Sequence, residues 1–214
     1  MVRYKKVFRQ CISMPDMLTM RKALQKLQSE RTDITGQEFT VRCLNFSTKT
    51  RNADRCGEYK IEYTDNDLNT MRLYRLEKVN GEYVSVSVPF SKTMCERLLR
   101  GDIDWMSSCG VSLIEVLYES LKTNQCAVQK VVSYKKSLYT LENGRYALCF
   151  KYGICGSFDC MHFLDIDLPM VMLYGNSIVE VKWNEKLPEW TNRIINIYAP
   201  QVHSQKIGNE SMAL

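Results

Sequence analysis

Eight runs of this sequence alternate at period two, the pattern of strands with two unlike faces, and helical segments are too few to separate them one by one. The runs are 2–12, 38–47, 58–63, 71–79, 82–88, 127–139, 145–154 and 177–184. Parallel neighbours need a crossover of about a dozen residues or more, so this spacing predicts an antiparallel sheet. Asn80 and Gly81, between two of the runs, suit a two-residue hairpin turn. Closing the sheet would remove its two exposed edges. The expected fold is mainly β (α+β): an eight-stranded antiparallel β-barrel with flanking helices.

The helical pattern is clearest over 15–29, where Met17, Met20, Leu24 and Leu27 recur on one face and read as core. Shorter helices are expected at 91–100 and 113–122, and another after Pro188 with Trp190, Ile194 and Ile195. The stretch 153–175 has no regular period and reads as an irregular cover over an opening.

The run 177–184 carries the sharpest chemistry. Ile178, Glu180, Lys182 and Asn184 share one face, and Val179, Val181 and Trp183 the other. Taken alone, the Glu180 and Lys182 pair also suits a solvated surface strand. Other runs likewise carry cations on one face, with Arg42, Lys60, Lys136 and Lys151 at alternating positions. Interior positions of a small packed barrel are normally apolar, so ionic side chains there imply a water-filled or ligand-filled tunnel.

Length and composition bound the rest. A chain of 214 residues, 45% hydrophobic and 25% charged, suits one domain spanning 1–214. No apolar run approaches the roughly 18 residues of a membrane span, and the first residues lack the apolar core of a leader, so a cytoplasmic location is expected. The nine cysteines include no Cys-x-x-Cys pair and the chain has two histidines, which reads as reduced core thiols. A net charge of +5 is mild. It does not demand a nucleic acid, but cations gathered on one concave face would imply a polyanionic ligand.

The residues Val41 to Ser47, Tyr59-Lys60-Ile61, the Asn80-Gly81 hairpin, Leu98 to Trp105, Val132-Ser133-Tyr134, and Val179-Glu180-Val181-Lys182-Trp183 with Leu187-Pro188-Glu189 resemble, in order, the VTC domain. That is the polyphosphate polymerase domain of the triphosphate tunnel metalloenzymes, in its bacterial single-domain form. The similarity runs from Arg3 to Lys206; the ordered series is specific, while each motif alone is weak. It implies a tunnel lined with basic residues that holds ATP and a polyphosphate chain or another polyanion. A divalent metal, Mg or Mn, held by inward glutamates would assist transfer of the γ-phosphoryl group to the growing chain.

By this resemblance Glu180 is the metal ligand, Arg42 and Lys182 are catalytic, and Lys6, Arg42, Lys60, Lys78, Lys136, Lys182 and Lys206 bind phosphate. Lys60 and Lys136 stand where the family has arginines. Tyr4 replaces a glutamate, Glu62 an arginine, and Tyr74 and Leu76 a glutamate and a lysine. Ser85 and Ser87 replace a basic pair, Ala147 an arginine, and Lys151 an aspartate. Three readings follow: a polyphosphate polymerase, a non-catalytic polyanion-binding relative, and a triphosphate hydrolase. They differ in how many inward carboxylates they need.

Overall fold

The computed structural model describes residues 6–48, 58–79, 82–142 and 144–183. Among the described residues nine strands and three α-helices follow one another as β1 (Lys6–Ile12), α1 (Met14–Glu30), β2 (Ile34–Thr48), β3 (Glu58–Thr64), β4 (Asp67–Val79), β5 (Glu82–Pro89), α2 (Lys92–Leu99), α3 (Ser112–Lys122), β6 (Cys126–Leu141), β7 (Tyr146–Ser157), β8 (Val171–Tyr174) and β9 (Ser177–Trp183). Hydrogen bonding links the strands in the order β1-β9-β7-β6-β2-β3-β4-β5, with β8 on β7. The antiparallel architecture is as expected, but the sheet is not closed into a barrel. Among the described residues it ends at β1 and at β5. Both ends carry features that blunt an edge: Arg9 on β1, and on β5 Pro89, which has no N–H to offer another strand. The ninth strand, β8, lies inside the stretch read as irregular; at four residues it is too short to show a period.

Contacts divide the described chain into two units. One holds the residues up to Phe39, Tyr134–Ile154 and those from Leu173 on; the other holds Thr40–Ser133 and Cys155–Met172. In the first, α1 lays Met17, Met20 and Leu24 against Tyr146, Leu148, Phe150, Val179 and Val181. Those strand residues are the apolar halves of their alternations, so the ionic halves of β7 and β9 face the other way. The helix starts where Ser13, in extended conformation, accepts a hydrogen bond from the Asp16 N–H at 3.2 Å, and Pro15 fills the first turn. Ser13→Ala is expected to lower unfolding free energy by about 1 kcal/mol in a urea titration.

In the second unit, Leu44, Phe46, Tyr59, Ile61, Tyr63, Met71 and Leu73 pack under α2 and α3, against Cys95, Leu98, Ile114 and Leu117. The β3–β4 connection is the two residues Asp65 and Asn66, both at positive φ, which these residue types tolerate. Strands β4 and β5 pair with Val79 opposite Glu82, as a two-residue hairpin connection requires; Asn80 and Gly81 themselves lie outside the described residues. So do Pro188, the helix expected after it, and Lys206.

Candidate functional site

The site in the first unit is built on three neighbouring strands. Their register sets Arg9 of β1 and Cys149 of β7 on either side of Glu180 of β9. Glu180 is 3% exposed and carries three cations. Its Oε1 accepts from Arg9 Nε at 2.9 Å and from Lys151 Nζ at 2.8 Å, and Lys182 Nζ stands 3.6 Å from Oε2. Burial alone would push the carboxyl pKa up; Lys151, Lys182 and Arg9 outweigh it and hold Glu180 well below the ordinary value. The cations differ in access: the side chain of Lys151 is 7% exposed, against 43% for Arg9 and 32% for Lys182. Lys151 is thus the inner partner that neutralises Glu180, and Arg9 and Lys182 present the remaining positive charge to solvent.

Lys136 belongs to the same surroundings. Its ammonium lies 5.2 Å from the Phe39 ring centroid and pulls down the Cys149 thiol pKa, which burial nonetheless drives up. Lys151 Nζ also stands over the Tyr134 ring, 5.4 Å from its centroid. Ala147 takes the place opposite Lys182.

The second unit has its own ionic face. Lys60 pairs with Glu62 and lies 5.1 Å from the Tyr74 ring centroid. Cys43 Sγ donates to Glu62 Oε2 at 3.6 Å. The register places Arg72 opposite Glu62, and its guanidinium donates to the hydroxyl and carbonyl of Ser87 at 3.2 and 3.3 Å. Burial first, and Glu62 second, push the Tyr74 pKa up. Arg42 is not brought together with Lys60. It is paired with Tyr63, in the row of Leu44 and Ile61 that faces the core, whereas Cys43 and Asn45 pair with Glu62 and Lys60. Its guanidinium donates to the carbonyls of Asp165 and Ile166.

The remaining expected positions are less visible. The side chains of Lys6 and Lys78, and the whole of Lys206, lie outside the described ones. The β1 register sets Lys6 opposite Trp183. Arg9 and Arg72 were not picked out from the sequence. For Arg72 the signal was available, because it shares the alternation of Tyr74 and Leu76; for Arg9 it required knowing which row of β1 meets Glu180.

A divalent metal does not fit Glu180 as it is surrounded. Both carboxylate oxygens face cations, and a metal ion would have to sit beside three like charges. Among the described residues no group of three or more His, Cys, Asp or Glu side chains could hold a metal.

Two solved structures share this fold over most of their length. A Bacillus halodurans protein provisionally assigned as an adenylate cyclase matches at 10% identity over 92% of this chain and 90% of its own, with a TM-score of 0.53. A chain of the Schizosaccharomyces pombe Mediator head module matches at 7% identity over 90% and 89%, with a TM-score of 0.52. At such identities the likeness concerns the fold alone. No family model and no curated protein matches the sequence. No helix among the described residues is long and apolar enough to cross a membrane.

Proposed function

We propose that this chain binds a triphosphate or polyphosphate through the cations around Glu180, as a polyanion-binding relative of the VTC polymerases. The observation that carries this reading is the three-to-one ratio of cations to carboxylate, with exposed Arg9 and half-buried Lys182 left over once Lys151 has neutralised Glu180. Non-bridging phosphate oxygens are the ligand such a surplus suits. Lys136 extends the positive surface on the same unit, and Lys60 and Arg72 give the other unit a cationic face of its own. The triphosphate-tunnel fold that the resemblance implies would suit triphosphate chemistry. Phosphoryl transfer from ATP would need a metal that Glu180 does not receive in this arrangement.

Isothermal titration of the protein with tripolyphosphate in EDTA tests the reading. Metal-free binding is expected, weakened at least about tenfold by Arg9→Gln and by Lys182→Gln, since one charge-assisted contact is worth about 1.5 to 3 kcal/mol. Absence of binding in EDTA defeats it. Production of ADP and acid-insoluble polymer from ATP and manganese would establish the polymerase instead, and free phosphate from tripolyphosphate the hydrolase.

A further inference from the structure

The five most exposed large apolar side chains among the described residues fall within 158–172: Phe158, Met161, Ile166, Val171 and Met172. They are 58% to 82% exposed, and the next, Leu18, is 47% exposed. Single exposed apolar residues are ordinary, but five in one short segment are not. The segment is also firmly held from beneath. Phe163 is fully buried, its ring edge-on to Tyr63 at 5.3 Å, and Tyr63 Oη donates to the Phe163 carbonyl at 3.2 Å. Leu168 is buried as well, and Arg42 bonds the carbonyls of Asp165 and Ile166. Backbone bonds from Phe163 to Cys160, Asp165 to His162 and Leu168 to Asp165 fix the turns between. Exposure here is therefore a property of an ordered segment.

Its charge runs against that of the chain. The protein has a net charge of +5, yet 152–181 contains no lysine or arginine. The exposed carboxylates of 158–172 are Asp159, Asp165 and Asp167; His162 pairs with Asp159 at 2.7 Å and also feels Asp165, and it is the one cationic side chain of the segment.

We propose that 158–172 is a docking surface for a protein segment with apolar side chains flanked by lysine or arginine. Charge complementarity selects this occupant. An anionic bilayer would be repelled by the three aspartates. A second copy meeting this surface through a twofold axis would set carboxylates against carboxylates. Preorganisation from below lowers the ordering cost of docking.

The test uses a fluorescein-labelled amphipathic peptide of leucine and lysine, read by fluorescence anisotropy, beside a leucine and glutamate peptide of equal length. The lysine peptide is expected to bind and the glutamate peptide not. Phe158→Ser with Met161→Ser, and separately Asp159→Asn with Asp165→Asn and Asp167→Asn, are expected to weaken binding at least about tenfold. Leu18→Ser, an exposed apolar change elsewhere, is expected to leave it unchanged. All these side chains are exposed, and an unchanged thermal melt verifies folding. The proposal is overturned by equal affinity in either multiple variant. It is equally overturned if sedimentation velocity shows self-association that those variants abolish, or if the protein floats with phosphatidylserine vesicles in a Phe158-dependent way.

Discussion

Glu180→Gln should lower unfolding free energy by about 3 to 5 kcal/mol, the cost of leaving a buried charge without its partner. The charge left behind is Lys151, 6% exposed and 2.8 Å from the carboxylate that the substitution removes. Adding Lys151→Met should restore most of the loss, because an apolar side chain of similar length needs no counter-ion. Urea titrations of the two single variants, the double variant and the parent give the coupling directly. Additive effects would mean that Lys151 and Glu180 do not depend on each other. The pH dependence has a definite sign. Because the folded carboxyl pKa lies below its ordinary value of 4.5, the stability Glu180 contributes is complete above that pH and is lost as pH falls through the folded value. The gap between parent and Glu180→Gln should therefore narrow in acid.

Arg42→Met should cost about 3 kcal/mol, and the damage should be local. The apolar stem is kept, while two charge-assisted bonds to the Asp165 and Ile166 carbonyls are lost in a residue only 8% exposed. Amide hydrogen exchange should accelerate from Phe163 to Leu168 ahead of the β2–β4 core. Arg42→Lys should recover less than half, since an ammonium lacks the fork that reaches both oxygens. Loss of tripolyphosphate binding with stability and exchange unchanged would return Arg42 to the phosphate role that the resemblance implies.

What could be read beforehand, and what could not, divides along physical lines. On β9 the alternation alone separates Val179 and Val181, which pack on α1, from Glu180 and Lys182. The stripe of Met17, Met20 and Leu24 was legible for the same reason: burial of one face repeats with the element's own period. Arg9 was not, because its role depends on register with a distant strand, and a shift of one residue exchanges the faces. Lys151 looked like a departure from an expected aspartate. Its meaning comes from Glu180, whose Oε1 accepts a hydrogen bond from the Lys151 ammonium across the β7–β9 pair. Arg42 misled because a charged residue on a strand suggests the polar face, whereas this one reaches through a core row to backbone carbonyls. Barrel closure was inferred from the hazard of bare edges, and the chain blunts its edges with Arg9 and Pro89 instead.

The ion cluster also has a history within each folding molecule. Arg9 and Glu180 are separated by 171 positions, and Lys151 and Glu180 by 29. A chain emerging from the ribosome presents Arg9 first, and Lys151 waits for its counter-ion until β9 has been made. The positive surface therefore assembles late, through a contact of very high sequence separation, and refolding rate should be most sensitive to whatever slows the meeting of β1 with β9.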